Sequence, residues 1–301
     1  MQINRRDFLK WAAATAAVLG LSPQDLLKVE EALAAATSPP VIWLQGSSCT
    51  GCSVAALNVV QPATIDDILI NKISMKYHPT LMAAGGDAAI QAMDQAALGN
   101  AGQFILVVEG GVSTANNGNY CIIGERNGVP VTMLEAVNTL GPKAKHVIAV
   151  GTCASYKGIP GAGSNLVGIT PLKTVLSGRT VNPVINIPGC PAPPESVFGA
   201  IVTILSGKSV ALDAQGRPKA YYGDKIHSTC FRRGTSSALT LGTATGCFKS
   251  FGCTGPGTNQ NCPSRKWNNG KNWCIGSGQM CIGCSNSTFP QSPIFKFGSY
   301  V

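Results

Sequence analysis

The chain has 301 residues, of which 45% are hydrophobic and only 12% are charged, and its formal net charge is +9. This length is sufficient for one sizeable domain and a smaller second one. The 12 cysteines are too many for an ordinary cytosolic enzyme and too few for a disulfide miniprotein. The low charged fraction also indicates that another molecule covers part of the surface.

The N-terminal sequence MQINRRDFLKWAAATAAVLGL has the form of a twin-arginine export signal, in which Arg5 and Arg6 precede a short apolar run. The small residues of ALAAAT suit cleavage before Thr37, so we predict that residues 1–36 are a removable signal peptide. A basic amphipathic helix is the alternative interpretation. Export places the mature protein in the periplasm, which argues against nucleic acid as its partner.

The apolar run of the signal is too short to span a bilayer, and no later run of 18 or more apolar residues follows it. We therefore predict no transmembrane helix in the mature chain, and a protein that is soluble or peripherally attached to a membrane. Its positive charge is expected to offset bound anionic groups.

Five short apolar runs predict strands that are buried on both faces. Helical patterns such as DAAIQAMDQAAL, VTMLEAVNTL and PESVFGAIVTILS lie between them. This alternation predicts an α/β domain over residues 37–212, built on a doubly wound parallel sheet. The predicted strands are VIWLQ (41–45), KISMKY (72–77), FILVVE (104–109), HVIAVG (146–151) and PVINI (183–187).

Four cysteines follow three of these strands at short distance. Cys49 and Cys52 follow the first strand, Cys153 follows the fourth, and Cys190 follows the fifth. Because the carboxyl ends of parallel strands share one edge of a sheet, we expect the four thiols to converge there as a metal site. A thioredoxin-like dithiol at Cys49 and Cys52 is the alternative, but it would leave the other two thiols without a role.

The character of the chain changes in residues 213–301, the predicted second domain. From about residue 224 the helical and strand periods fade, which predicts either disorder or an irregular domain held together by inorganic groups. Seven cysteines and one histidine lie in this part of the chain. Divided in chain order they form two sets of four: His227, Cys230, Cys247 and Cys253, then Cys262, Cys274, Cys281 and Cys284.

Three kinds of cross-link fit these sets. Disulfides suit an exported protein, and zinc suits four thiolates or three thiolates with an imidazole. Iron–sulfur clusters suit the same ligands. Twin-arginine export carries proteins that have already folded in the reducing cytoplasm, which argues against disulfides. Three centres in one chain have a use as a row of electron carriers, which favours iron–sulfur clusters over zinc.

The sequence resembles the small subunit of nickel–iron hydrogenases over nearly its whole length. The matching motifs are RRDFLK, CTGCS, YHPTLM, VVEG, AVGTCASY, IPGCP, IHSTC and CIGC. The resemblance implies a flavodoxin-like domain with a proximal cluster and a small irregular domain with a medial and a distal cluster. It assigns Cys49, Cys52, Cys153 and Cys190 to the proximal cluster, His227, Cys230, Cys247 and Cys253 to the distal one, and Cys262, Cys281 and Cys284 to the medial one.

Cys274 stands where most members of this family carry proline and hold a three-iron medial cluster. A fourth thiolate there implies a four-iron medial cluster, and so three 4Fe-4S clusters in all, as in the nickel–iron–selenium branch. Val54, where standard members usually carry glutamate, agrees with that branch. Gly51 and Gly158 stand where oxygen-tolerant members carry two further cysteines, so a six-cysteine proximal centre is not expected. Cys121 is left as a buried free thiol.

The resemblance further implies that catalysis takes place at a nickel–iron site on a separate large subunit. This chain would form a heterodimer with that subunit and pass electrons to an external acceptor such as a periplasmic multihaem cytochrome c. Two alternatives are an exported, zinc-stabilised binding module without a redox role, and a cluster-bearing chain with a different catalytic partner.

Overall fold

The computed structural model describes residues 22, 38–60 and 63–290. Apart from Ser22, the predicted signal peptide lies outside the described residues. Within the described ranges, no helix combines the length and the apolar character needed to cross a bilayer.

A five-stranded parallel sheet forms the centre of the first domain. Its strands are β1 Pro40–Gln45, β2 Ser74–Tyr77, β3 Ile105–Glu109, β7 His146–Val150 and β9 Ile185–Ile187. They lie in the order β2–β1–β3–β7–β9. Numbered among themselves, these strands have the order 2-1-3-4-5, which is the flavodoxin-like arrangement. The predicted strands are all confirmed, with ends that differ by no more than two residues.

Helices cover both faces of the sheet, so the sheet separates two apolar cores. The helices of this domain are α1 Gly51–Leu57, α2 Ile65–Asp67, α3 Gly86–Gly99, α4 Met133–Leu140, α5 Gly151–Tyr156, α6 Leu172–Val175 and α7 Pro194–Leu205. One core packs α3 and α4 against the sheet, and the other packs α1 and α7 against its opposite face. The central strand β3 is buried along its whole length, as its unbroken apolar sequence predicts.

The structure also contains two small antiparallel pairs that were not predicted. Strands β4 (Val112–Ser113) and β8 (Ile169–Thr170) form one pair, and β5 (Ile122–Arg126) and β6 (Val129–Thr132) form a hairpin. Asn127 and Gly128 join the hairpin and both have positive φ, which is the preference of a tight two-residue turn. Thr132 then caps α4 by accepting a hydrogen bond from the Glu135 N–H at 3.0 Å, so the predicted helix VTMLEAVNTL begins at Met133.

The C-terminal part is ordered although it has few regular elements. Its helices are α8 (Lys219–Tyr222) and α9 (Cys262–Arg265), and short 3₁₀ turns separate its loops. It has its own small apolar core, which includes Phe248, Trp273 and Ile275 together with the buried thiols Cys262 and Cys281. Cysteine side chains therefore take core positions that aliphatic residues occupy in the first domain.

Candidate metal centres

Four thiols meet at the carboxyl edge of the sheet. Cys49 follows β1, Cys52 lies in α1, Cys153 lies in α5 directly after β7, and Cys190 follows β9. Burial, together with the adjacent Cys190 and Cys49, raises the pKa of Cys153 to about 12. Burial also raises the pKa of Cys52, and the nearby Glu109, Cys153 and Cys190 add to this increase. The structure thus brings all four predicted proximal residues into one electrostatically coupled group.

Such thiols remain protonated at neutral pH unless a cation offsets the thiolate charge. A coordinating metal does this directly, because it deprotonates the thiol that binds it. Cys52, Cys153 and Cys190 are partly buried, and burial raises the pKa of each of them, so these thiols are better suited as metal ligands than as separate acids. The donor set therefore fits a metal group better than it fits a redox dithiol.

Glycines leave space around these sulfurs. Gly151 has φ +87°, and a Cβ at this position would lie 2.6 Å from Cys52 Sγ. Gly158 has φ +57°, and a Cβ there would lie 2.9 Å from Cys153 Sγ. At both positions any side chain would be strained in its backbone and would also meet a sulfur. The two glycines keep the surroundings of the thiols open to a bulky group.

A buried glutamate at the end of β3 organises the proximal segment. Glu109 is only 1% exposed and accepts hydrogen bonds from the N–H groups of Cys52 at 3.0 Å and Ser53 at 3.2 Å. The Ser53 hydroxyl and the Trp43 indole N–H also donate to it, the latter at 3.2 Å. This carboxylate anchors the first turn of α1 beneath the thiols. Sequence reasoning assigned Glu109 no role, although a lone acid closing the apolar run FILVVE was a usable signal.

The second group of thiols lies next to the first. Burial raises the pKa of Cys284, and the neighbouring thiols Cys262, Cys281 and Cys274 add to the effect. These are the four residues predicted for the medial cluster. Arg265 lies beside them, with its Nη2 atom 3.9 Å from Cys262 Sγ.

The third group lies in the loops after α8. Burial raises the pKa of Cys230, and Cys253 and Cys247 contribute to it, so these three thiols are close together. His227 lies half-buried in the 3₁₀ turn Ile226–Thr229, immediately before Cys230. The Cys230 N–H donates to the His227 carbonyl oxygen at 3.5 Å, which closes that turn. The three predicted distal thiols thus occupy one region, and His227 lies in the turn that leads into it.

Two contacts connect the three groups into a row. The hydroxyl of Thr152, next to Cys153, donates a hydrogen bond to the Cys284 carbonyl oxygen, which joins the first group to the second. The N–H of Thr254, directly after Cys253, donates to the Cys281 carbonyl oxygen at 2.9 Å, so the second group adjoins the third. The order in space is therefore proximal, medial, distal.

All 12 cysteines lie within the described ranges, and each is a free thiol. The structure therefore contains none of the disulfides weighed from the sequence. Among the described residues, no three histidine, cysteine or acidic side chains converge closely enough to hold a single metal ion. Cys121 packs against the core of the first domain and lies outside the three groups.

Family models match most of the chain. Residues 49–204 match the model described as NADH ubiquinone oxidoreductase, 20 Kd subunit, and residues 222–296 match the model for the C-terminal part of the NiFe/NiFeSe hydrogenase small subunit. Residues 2–22 match the twin-arginine translocation pathway signal sequence, which confirms the predicted export signal. Cleavage before Thr37 stays a prediction.

Similar proteins of known type cover almost the full length. The chain is 38% identical to the periplasmic NiFeSe hydrogenase small subunit of Desulfomicrobium baculatum, over 98% of this chain and 99% of that protein. It is 37% identical to the periplasmic NiFe hydrogenase small subunit of Solidesulfovibrio fructosivorans, over 98% of this chain and 94% of that protein. Together with the export signal, these relatives confirm the predicted periplasmic location.

Solved structures agree with the sequence relatives. A chain of the recombinant NiFeSe hydrogenase from Desulfovibrio vulgaris Hildenborough superposes with a TM-score of 0.82 at 41% identity, over 87% of this chain and 99% of that one. A chain of the Desulfomicrobium baculatum NiFeSe hydrogenase gives a TM-score of 0.81 at 39% identity, over 86% of this chain and 99% of that one. The protein therefore belongs to the family of NiFe and NiFeSe hydrogenase small subunits.

Proposed function

We propose that this chain is the electron-transfer subunit of a periplasmic hydrogenase. The overall reaction, H2 ⇌ 2 H⁺ + 2 e⁻, would take place at a nickel–iron site on a large subunit, with which this chain would form a heterodimer. The single observation that carries the proposal is the row of three thiol groups, connected through the hydrogen bonds Thr152–Cys284 and Thr254–Cys281.

The residues present fit iron–sulfur clusters. The proposed ligands are 11 cysteines and one histidine. Two buried arginines add support, because Arg232 and Arg265 each carry an Nε–H without a hydrogen-bond partner in the described structure. Each lies beside a thiol group, and each would stabilise a nearby anionic cluster. When bound, three 4Fe-4S clusters would carry electrons singly between the catalytic subunit and an external acceptor such as a multihaem cytochrome c.

The side chains and backbone of this subunit would hold and shield those groups. At the medial position Cys262 and Cys281 are almost fully enclosed, whereas Cys274 is exposed. The Ala192 N–H donates a hydrogen bond to Cys52 Sγ at 3.4 Å. Hydrogen bonds to ligand sulfurs favour the more negative, reduced form of a cluster and so raise its reduction potential.

Cys274 supplies the most specific test of the cluster type. Replacing it by proline or by alanine is expected to remove about one iron atom per chain and to leave a three-iron medial centre of higher potential. Among the described residues the Cys274 N–H donates no backbone hydrogen bond, so proline at this position removes none. Iron analysis and potentiometric EPR of both variants measure the change. A high-potential three-iron signal already present in the unmodified protein would contradict the four-thiolate assignment.

The proposed function is tested on the purified native complex. We expect about twelve iron atoms per small subunit, nickel in a larger co-purifying chain, and a brown absorbance that H2 bleaches. A colourless, zinc-containing and folded protein would instead establish the zinc-stabilised binding module. Intact clusters with a nickel-free partner would establish a different catalytic subunit.

A further inference from the structure

The C-terminal segment has no acidic residue. From Lys225 to Val301 the sequence contains neither aspartate nor glutamate. Over the same range it contains eight basic residues: Lys225, Arg232, Arg233, Lys249, Arg265, Lys266, Lys271 and Lys296. The positive charge of the protein is therefore concentrated in the part of the chain that holds the distal and medial groups.

Three of these cations lie on the rim of the distal group. Lys225, Arg233 and Lys249 are all exposed, and each is two or three residues from a predicted distal ligand. The Arg233 guanidinium donates to the Ser228 carbonyl oxygen at 3.4 Å, within the same loop. Among the described residues, none of the three forms an ion pair. The one acid close in sequence is the exposed Asp224.

An exposed aromatic side chain lies within this rim. Phe231 directly follows Cys230, and 60% of its surface is exposed. Its ring contacts the buried Trp273 edge-on, with 6.4 Å between ring centroids, and the Arg232 guanidinium lies 5.3 Å from its centroid. The ring is therefore supported from behind and presents an apolar surface next to a distal thiol. We call Phe231 with Lys225, Arg233 and Lys249 the basic exit face.

We propose that the basic exit face docks an acidic redox protein that accepts single electrons. This inference rests on the proposed function, in which electrons leave at the distal group. An acidic surface would be attracted to the three uncompensated cations, and the apolar centre would allow close approach to Cys230. For each H2 oxidised, two protons are released and two acceptor molecules take up one electron each. The contact is expected to be small and short-lived, as in other redox encounters.

An anionic membrane is the other surface that such charge could attract. Membrane-surface binding of this kind generally uses an amphipathic helix with a broad apolar face. In the described part of this segment the α-helix is α9, which has four residues. A single supported ring among scattered cations suits a small protein contact better than insertion into lipid.

The test uses the intact hydrogenase complex under H2 and measures reduction of two c-type cytochromes, one acidic and one lysine-rich. The second-order rate with the acidic cytochrome is expected to fall at least about tenfold between about 20 and about 300 mM salt, whereas the rate with the lysine-rich one rises. The triple variant K225Q/R233Q/K249Q should lose most of this salt dependence. The control K76Q/K143Q/K173Q removes the same charge from exposed positions of the first domain and should retain it.

Reduction of an uncharged quinone dye separates the two proposals. If the unmodified complex does not reduce the dye with H2, the proposed function fails. If the dye is reduced but the lysine-rich cytochrome reacts faster at low salt, only the docking proposal fails. It also fails if the triple variant and the control behave alike. Co-sedimentation of the complex with phosphatidylglycerol vesicles, lost in the triple variant, together with salt-insensitive cytochrome rates would assign the face to the membrane instead.

Discussion

Replacing Cys52 by alanine is expected to lower the iron content from about twelve to about eight atoms per chain. Hydrogen-dependent dye reduction should fall to background. Cys52 lies in the group nearest the start of the row, so its loss interrupts the path that the three groups provide. The backbone N–H of Cys52 also donates to the buried Glu109 carboxylate at 3.0 Å, which fixes the position of this residue. Iron analysis and the H2-dependent dye assay on the purified complex measure the effect.

Cys121 provides the matched control. Like Cys52 it is half-buried, and burial raises the pKa of its thiol, but it lies outside the three groups. Cys121→Ala is expected to retain about twelve iron atoms and the full rate of dye reduction. Loss of iron in Cys121→Ala, or full activity in Cys52→Ala, would show that the proximal ligands have been wrongly assigned.

Replacing Glu109 by alanine is expected to reduce the free energy of unfolding by about 3–5 kcal/mol and to deplete the proximal iron. The buried N–H groups of Cys52 and Ser53 and the Trp43 indole would all lose their acceptor. Each unsatisfied buried donor carries a desolvation cost, and water has little access at a site that is 1% exposed. Urea denaturation followed by circular dichroism gives the stability, and iron analysis gives the cluster content.

Glu135 is the appropriate comparison. Its carboxylate pairs with Arg126 at 2.6 Å, but the two side chains are about two-fifths exposed, at 43% and 40%. A solvent-exposed pair of this kind contributes less than about 1 kcal/mol, so Glu135→Ala should be nearly neutral. The loss of unfolding free energy in Glu109→Gln should lie between those of Glu109→Ala and Glu135→Ala. The glutamine amide oxygen can still accept a hydrogen bond, but its NH2 group would face the N–H donors that the second carboxylate oxygen accepted from. Equal stability of Glu109→Ala and Glu135→Ala would contradict the anchoring role of Glu109.

Several features of the fold followed from local sequence alone. The central strands are buried on both faces, so their sequences are unbroken apolar runs, and runs such as FILVVE could be placed to within two residues. The proximal thiols could be placed because each follows a parallel strand at its carboxyl end. The β5–β6 hairpin was missed even though Asn127-Gly128 is a strong turn signal, because its short strands are largely exposed and lack an apolar pattern.

Contacts between distant parts of the chain could not be predicted from local sequence patterns. Glu109 meets Ser53 across 56 positions of sequence, and no local period reports such a pair. Spacing grouped the C-terminal cysteines in fours but did not order the groups in space. Along the chain, the His227 group comes directly after the first-domain thiols. In the structure, the Cys284 carbonyl oxygen accepts from Thr152 of the first domain and the Cys281 carbonyl oxygen accepts from Thr254, so the last group lies in the middle of the row.

The sequence by itself thus determined the sheet and the export signal and predicted the sulfur donors, because burial, charge and side-chain chemistry are local properties. Only the tertiary structure shows the contacts through which one group of thiols lies next to another. The irregular C-terminal loops fold back so that residues far apart in sequence share a hydrogen bond, and that return path has no signature in the spacing of its cysteines.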